Sequence, residues 1–300
     1  MTDVLVLGDA IVDAVFDGLD RYPDHGEEVV APRYELRPGG SAGYASLGLT
    51  ALGTATETVA SVGDGVLSTY WLEFLRKRGV DTSRVIREPH TSISVAAGFL
   101  FETDRSFVTY RGASEAGSIP AVTPTDYDAL LIAGFSQAPY LWTDDVLALA
   151  REFSAHDRPV FLDPNWSPGE WQPTFSELLP SVDYLLVNHV EARRLTDCDA
   201  LVDAGELLLD EGAGSCVITA GERGCLLVDD EAVWVDAEPV DAVDACGAGD
   251  FFNAGFVRAT LRGADRQTAA ALGNRCASTA IASFELREKL DGIAAAPSLG

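Results

Sequence analysis

Lysine is almost absent from this chain, and so is any surplus of positive charge. Lys77 and Lys289 are its only lysines, and 47 Asp and Glu residues stand against 21 Lys and Arg, for a formal net charge of −26. A surface of that sign repels phosphate backbones and anionic headgroups, so we expect neither nucleic acid nor a membrane as a partner. The acidic residues are spread along the chain, which argues against a separate acidic tail.

Long apolar runs and targeting signals are also missing. No apolar run approaches the length needed to span a bilayer, and the start, Met1-Thr2-Asp3, has no basic segment before the first apolar residues. We find no linker, low-complexity tract or internal repeat, so we expect a cytoplasmic protein with a single domain over residues 1–300. An acidic, lysine-poor composition resembles that of proteins from salt-loving archaea, where molar salt screens the repulsion.

Cysteine and histidine patterns typical of metal or disulfide sites are lacking as well. No CxxC pair occurs and the cysteine count is odd, so we expect free thiols acting as small buried hydrophobes. The four histidines are scattered without metal-ligand spacing and receive no role. The cysteines concerned are Cys198, Cys216, Cys225, Cys246 and Cys276.

What remains is a regular alternation of short apolar segments and helix-like segments. Residues 3–8, 129–134 and 182–187 read as buried strands, each closed by glycine or followed by a polar residue. Helix-like segments follow them, the last predicted over residues 268–283. This alternation predicts an α/β fold with a doubly wound, mostly parallel sheet and helices on both faces.

One part of the chain departs from that alternation. The segments 94–101 and 106–110 are strand-like and separated by four polar residues, which predicts a β-hairpin. We therefore expect a small β-sheet lid, built from about residues 14–38 and 90–112 and inserted in the domain.

Polar side chains follow many of the predicted strands. Because the carboxyl ends of parallel strands meet at one edge of a sheet, these side chains are expected to converge there. Each alone could be a turn or cap residue, but seven together with two glycine-rich turns favour a ligand site. They are Asp13, Asp163, Asn165, Asn188, Glu191, Thr219 and Asp250.

The two glycine-rich turns each precede a predicted helix. Gly39 and Gly40 open a helix of small residues that ends before Gly53, and glycines at such a place allow close approach of backbone or ligand. Gly247-Ala248-Gly249-Asp250 leads into an apolar helix, whose free amides suit an anion. Asp250 is then either a helix cap or a base that accepts the proton of a hydroxyl group.

With these motifs in this order, the chain resembles the ribokinase-like (PfkB) carbohydrate kinases over nearly its whole length. The resemblance implies transfer of the ATP γ-phosphate to a primary hydroxyl, with Mg²⁺ as cofactor and Asp250 as catalytic base. It places the anion hole at Gly247, Ala248 and Gly249. It also implies a homodimer formed through the lid as one form of assembly.

The same resemblance assigns the remaining site residues by position. Asn188 and Glu191 match an NxxE motif that organises magnesium through water, which suits an ion that keeps its waters. The nucleotide is expected along Asn188, Thr219, Gly221, Gly249 and Asn274. The substrate is expected at Asp13, Gly39, Gly40, Tyr44, Tyr110, Arg111, Asp163 and Asn165.

Three departures from the family pattern narrow the expectation. Tyr44 stands where many members have a sugar-binding asparagine and Ile11 stands where ribokinases have another, so ribose is disfavoured. Ala245 replaces the usual threonine after Asp244, which leaves a K⁺ site there in doubt.

The substrate stays open at this point. Tyr110 and Arg111 resemble a segment that 2-keto-3-deoxygluconate kinases use to hold a sugar acid, but Ser167 stands where those kinases have a second arginine. A fructose-like neutral sugar and a keto-deoxy sugar acid are therefore equally favoured as the substrate. The alternatives are a nucleoside kinase of the same fold and a non-catalytic sugar-binding homologue.

Overall fold

A computed structural model describes residues 2–101, 105–166, 169 and 171–296 of the chain. Within these residues two larger sheets and a two-stranded sheet form. The strands in chain order are β1 (Thr2–Gly8), β2 (Ile11–Leu19), β3 (Arg33–Gly39), β4 (Thr56–Val59), β5 (Ser61–Val62), β6 (Ile86–Arg87), β7 (Ser94–Phe101), β8 (Arg105–Tyr110), β9 (Tyr127–Ala133), β10 (Val160–Asp163), β11 (Tyr184–Asn188), β12 (Cys216–Thr219), β13 (Cys225–Val228) and β14 (Ala232–Val235).

The large sheet has the order β14-β13-β12-β11-β10-β9-β1-β4. Its strands from β4 to β12 pair in parallel, and β12-β13-β14 continue as an antiparallel edge. The structure thus confirms the predicted α/β fold with a mostly parallel sheet.

Helices cover both faces of this sheet. In chain order they are α1 (Ser41–Ala51), α2 (Val66–Lys77), α3 (Asp144–Ala155), α4 (Pro173–Leu178), α5 (His189–Thr196), α6 (Leu201–Asp210), α7 (Ala248–Leu261), α8 (Arg266–Ile281) and α9 (Leu286–Ala295). In β1, Val4 and Val6 pack with α1, α7 and α8, while Leu5 and Leu7 pack on the face covered by α3 and α6. β1 is therefore apolar on both sides, as its sequence predicts.

The second sheet has the order β3-β2-β7-β8, and we call it the small sheet. β2 pairs antiparallel with β3 and parallel with β7, and β7 pairs antiparallel with β8 as predicted. The turn expected between β7 and β8 falls on residues 102–104, outside the described residues. Asp13, expected just past the end of β1, instead lies inside β2, because that strand starts at Ile11.

Other differences from expectation concern segment ends. Residues 56–63, expected as one strand, form β4 and β5, and β5 pairs with β6 instead of joining the large sheet. The helix predicted over 268–283 is α8, which begins at Arg266 and ends at Ile281. A further helix, α9, follows it and was not predicted.

The cysteines are free, as predicted: four are buried and Cys198 is half-buried. Among the described helices, none has both the length and the apolar character that crossing a membrane requires.

Candidate active site

An open cleft of about 1130 Å³ lies where the carboxyl ends of β10, β11 and β12 meet the start of α7. β8 of the small sheet contributes Arg105 and Phe107 to its wall. Most of the predicted site residues line it: Asp13, Tyr44, Asp163, Asn165, Asn188, Glu191, Thr219, Gly221, Gly247, Ala248, Gly249 and Asp250.

Gly39 and Gly40 lie directly behind the wall of the cleft. A Cβ atom on Gly39 would stand 2.1 Å from Oδ2 of Asp13, and one on Gly40 would stand 2.4 Å from the carbonyl oxygen of Asp9. Gly40 also has a φ of 80°, which favours glycine. The pair therefore lets the start of α1 approach the two aspartates closely.

Three predicted residues lie away from the residues that line the cleft. Tyr110 is exposed at the end of β8, and Nη2 of Arg111 lies 3.4 Å from Oε1 of Gln137. Asn274 is buried, and its Nδ2 donates to the carbonyl oxygens of Val235 and Asp236. In this structure the amide of Asn274 holds α8 to the end of β14.

The start of α7 presents free backbone amides to the cleft. Gly247 precedes the helix with a φ of 79°, and the amide of Phe251 makes the first helical hydrogen bond, to Gly247 O at 2.9 Å. No oxygen of the described residues accepts a hydrogen bond from the amides of Gly249 and Asp250. Space is open above Gly249, so these amides can bind an anion.

Asp250 lies in the first turn of α7 among other carboxylates. Burial, then the negative charges of Asp163, Asp9 and Asp13, raise its pKa well above the ordinary value, and a hydrogen bond with Ser41 offsets only part of this. A carboxylate with a raised pKa is a stronger base near neutral pH. Asp250 does not accept a hydrogen bond as a side-chain cap of α7, so capping does not explain its presence.

Ser41, which the sequence gave no reason to single out, connects the two sides of the cleft. Its amide donates to Oδ1 of Asp9 at 2.9 Å, and its Oγ accepts from Nδ2 of Asn165 at 2.8 Å. Burial raises the pKa of Asp9 to about 7, with the charges of Asp13 and Asp163 as smaller causes. Asn165, at a φ of 57°, thus joins the end of β10 to the start of α1.

Asn253 is a second residue that was missed. Its Nδ2 donates to Oδ2 of Asp163 at 2.8 Å, while Oδ1 of Asp163 accepts from the amide of Asn165. Burial raises the pKa of Asp163 to about 6 despite these bonds. Asn253 is three residues after Asp250 and so shares its helix face, a spacing that could have revealed it.

Asn188 and Glu191 form a capping box at the start of α5. Oδ1 of Asn188 accepts from the amides of Val190 and Glu191 at 2.9 Å, and Oε2 of Glu191 accepts from the amide of Asn188 at 2.9 Å. Burial, then the charge of Asp163, raises the pKa of Glu191 to about 8. The capping box thus fixes a carboxylate that no cation of the chain neutralises among the described ion pairs.

That carboxylate fits a divalent cation carried with its waters. Hard cations prefer oxygen ligands, and Glu191 and Asp163 supply carboxylate oxygens in a region of negative potential. Within the described residues no cluster of three or more His, Cys, Asp or Glu side chains could hold a metal directly. Mg²⁺ bound through water, mainly by Glu191, is therefore the arrangement these residues suit.

Tyr44 and Asp13 form the opposite end of the cleft. The hydroxyl of Tyr44 donates to Oδ2 of Asp13 at 2.6 Å. Burial raises the pKa of Asp13 to about 6, although the bond from Tyr44 and the charge of Arg37 lower it. One oxygen of Asp13 is therefore engaged by the chain, and the ring of Tyr44 forms part of the wall.

The chain is similar in sequence to a known family of kinases. The family described as pfkB family carbohydrate kinase matches this chain over residues 1–291. The chain is 30% identical over 294 residues to a ribokinase of Bacillus subtilis, covering 95% of this chain and 94% of that protein. It is also 30% identical over 292 residues to a nucleoside kinase of Methanothermobacter thermautotrophicus, covering 96% and 90%.

A solved structure agrees with these matches. The crystal structure of a putative ribokinase from Agrobacterium tumefaciens superposes with a TM-score of 0.83 at 26% identity, covering 95% of this chain and 92% of that one.

Proposed function

Because the chain belongs to the pfkB family of carbohydrate kinases, we propose that it transfers the γ-phosphate of ATP to a primary hydroxyl group of a neutral sugar, with Asp250 as general base. Membership makes it an ATP-dependent phosphotransferase acting on a sugar or a nucleoside. The assignment of each residue below, and the neutral charge of the acceptor, are our proposal.

A single observation carries the role of Asp250. Two amides without an acceptor, those of Gly249 and Asp250, stand beside a carboxylate whose pKa is raised. Phosphoryl transfer needs a place for the negative charge of the migrating group and an acceptor for the hydroxyl proton. The amides of Gly249 and Asp250 would stabilise the charge, and the carboxylate of Asp250 would take the proton.

The nucleotide is proposed to lie along the ends of β11 and β12. Asn188, Thr219 and Gly221 line that half of the cleft, and space is open above Gly221. Glu191 would hold Mg²⁺ through water, and the ion, when bound, neutralises and orients the phosphate oxygens.

The charges that line the cleft favour a neutral acceptor over a sugar acid. One guanidinium, Arg105, stands among six carboxylates on the described wall, and Arg111 points its guanidinium at Gln137 instead. An anionic substrate would be repelled by these carboxylates, of which only Glu238, with Arg275, has a partner among the described ion pairs. A hydroxyl group can donate to them without that cost. The carboxylates are Asp13, Asp163, Glu191, Glu222, Glu238 and Asp250.

A nucleoside is the second candidate acceptor, and Tyr44 is the observation that favours it. Its ring lines the cleft beside Asp13, where a base could stack while the ribose hydroxyls reach the carboxylate. The sequence identity to a nucleoside kinase is 30%, the same as that to a ribokinase.

A coupled ADP-release screen in molar salt tests the proposal. The panel contains neutral hexoses and pentoses, nucleosides, keto-deoxy sugar acids and sugar phosphates. We expect acceptor-dependent turnover with neutral sugars, or with nucleosides for the second candidate, and none with the acids. Turnover confined to acids would overturn the proposed acceptor, and ADP release that no acceptor increases would favour a non-catalytic sugar-binding homologue.

We also propose that the small sheet acts as a lid and mediates a homodimer. One face of the small sheet leaves apolar surface open: Tyr34 of β3 and Val108 and Tyr110 of β8 are exposed there, whereas Phe107 lies on the opposite face and lines the cleft. A contiguous apolar surface on a sheet suits pairing with a second copy. Sedimentation of the protein with and without a charge introduced at Val108 tests the dimer.

A further inference from the structure

Lys289 is buried in the core behind the turn that leads into α7. Its side chain is 1% exposed, although its charge would ordinarily keep a lysine at the surface. The Nζ atom donates to three oxygens: Asp244 O at 2.9 Å, Asp244 Oδ2 at 2.9 Å and Cys246 O at 3.1 Å. An ammonium group has three donors, so all of them are used.

The three acceptors belong to the turn that sets the position of the anion hole. They come from Asp244 and Cys246, immediately before Gly247. Asp244 closes the same turn from the other side, because its Oδ1 accepts from the amide of Cys246 at 2.9 Å. The ammonium therefore fixes two backbone carbonyls and a carboxylate that lie three to five residues before the free amide of Gly249.

Two carbonyl oxygens and a carboxylate oxygen are also ligands that a bound monovalent cation would accept. In this chain the position is taken by a charge on a covalent tether from α9. Arg37 adds a second cation, with Nη1 at 2.5 Å from Asp244 Oδ2. A third cation at that place would meet two like charges at close range in a region of low dielectric.

The residues near Asp244 therefore do not fit an added K⁺ ion. Burial alone would raise the pKa of Asp244, yet Lys289 and Arg37 lower it below the ordinary value, so the carboxylate is already neutralised. Ala245 supplies no hydroxyl ligand.

We infer that the ammonium of Lys289 acts as a built-in monovalent cation, holding the turn 244–247 so that the anion hole forms without K⁺. Lys289 is a positioning residue in this scheme, since it touches the turn and not the substrate. The catalytic part of the inference rests on the proposed kinase function, whereas the occupancy of the cation position does not.

The first test is the cation dependence of the wild-type protein. Acceptor-dependent turnover is measured at constant ionic strength in KCl, NaCl and choline chloride, because choline is too large to enter a buried site. We expect the same turnover number in the three salts. A wild-type enzyme that works in KCl and not in choline chloride would overturn the inference, with no variant needed.

The second test removes the tethered charge in two ways. Lys289→Ala opens space for a cation, and we expect turnover to fall roughly 10²-fold in choline chloride and to recover in KCl or ammonium chloride. Lys289→Met removes the charge but keeps the volume, so we expect the loss without recovery. Lys77→Ala is the matched control, since Lys77 is exposed and paired with Glu73 on α2, and it should change nothing.

Thermal unfolding gives a readout that does not depend on activity. KCl should raise the melting temperature of Lys289→Ala above its value in choline chloride by more than it does for wild type, Lys289→Met or Lys77→Ala. If wild type phosphorylates none of the acceptors tested, this comparison still decides whether Lys289 holds a cation position. Full activity and unchanged stability of Lys289→Ala in choline chloride would contradict the inference.

Discussion

Two aspartates six residues apart on one segment have opposite electrostatic surroundings. Asp244 contacts the guanidinium of Arg37 and the ammonium of Lys289, and its pKa is lowered. Asp250 lies among Asp163, Asp9 and Asp13, and its pKa is raised. Burial raises the pKa of both carboxylates, but at Asp244 the two cations outweigh it, whereas at Asp250 the neighbouring carboxylates add to it.

The contrast separates a carboxylate whose neutralising charge the chain itself supplies from carboxylates that remain available to ligands. The neutralised carboxylate lies behind the anion hole, where the backbone must keep one shape. Carboxylates without a cation partner among the described ion pairs line the cleft, where we propose that a divalent cation and the acceptor hydroxyl group bind at each turnover. A chain with a net charge of −26 and two lysines thus buries one of those lysines beside the cleft.

The largest expected effect comes from removing the charge of Asp250. We expect Asp250→Asn to lower the turnover number roughly 10³-fold while ATP still binds, because the hydroxyl proton loses its acceptor. Steady-state kinetics and nucleotide titration measure the two effects.

A matched control separates a base from a helix residue. Asp265 begins α8 and caps it, with Oδ1 accepting from the amide of Thr268 at 2.8 Å. Asp265→Asn should leave the turnover number unchanged. If Asp250→Asn behaves in the same way, Asp250 is not the base.

The cations around Asp244 are tested through the stability of the fold. Nε of Arg37 donates to Glu35 Oε2 and its Nη2 donates to the carbonyl oxygen of Phe284, both at 2.6 Å. Arg37→Met would remove the guanidinium that donates to these acceptors. We therefore expect the free energy of unfolding to fall by about 3–5 kcal/mol in denaturant melts.

Arg33 provides the control, because it also packs over the ring of Phe284 yet is half exposed. Arg33→Met should cost about 1 kcal/mol or less. Equal losses in the two variants would show that the ring contact matters and the buried charge does not.

The Mg²⁺ requirement tests the carboxylates of the cleft that have no cation partner among the described ion pairs. Glu191→Gln keeps an oxygen that can accept from the amide of Asn188 but removes the charge. We expect the Mg²⁺ concentration for half-maximal activity to rise about 10-fold, with no loss of thermal stability. Glu222→Gln, an exposed carboxylate on the same wall, should have little effect. An unchanged Mg²⁺ dependence in Glu191→Gln would remove Glu191 from the proposal.

The smallest effect is expected in the pH dependence of stability without ligands. The pKa of Asp9 is raised from 3.8 to about 7, so folding favours its protonated form. The resulting stability is fully present below about pH 4 and is lost as the pH rises through 7.

Asp9→Asn keeps an acceptor for the amide of Ser41 and does not titrate. Its free energy of unfolding should therefore fall less than that of wild type between pH 5 and 8, by about 1 kcal/mol, since neighbouring carboxylates share the proton. Parallel pH profiles for the two proteins would contradict this expectation.

Sequence patterns predicted the two helix starts that carry many of the proposed site residues. Residues 247–250 and 188–191 each form a helix start, and local geometry follows from residue type and spacing over a few positions. The alternation of segments gave the α/β fold, although strand and helix ends shifted by a few residues. β2 was missed in part because its aspartates, Asp13 and Asp17, resemble turn residues until β3 and β7 flank them.

Contacts between distant segments were beyond the reach of the sequence. Ser41 and Asn165 are 124 residues apart, and Asn253 and Asp163 are 90 apart, yet each pair is joined by a hydrogen bond. Serine and asparagine are common on surfaces, so neither residue type signals such a role.

The sequence alone determined the acidic composition, the α/β alternation and the glycine-rich turn with its aspartate. The tertiary structure alone decided which carboxylates are neutralised. The expectation of a doubtful K⁺ site at Asp244 rested on one neighbour, Ala245. The structure adds Lys289, which lies 45 residues after Asp244 on a helix that was not predicted. Charge neutralisation depends on distance in space, and only packing brings α9 and Arg37 to one carboxylate.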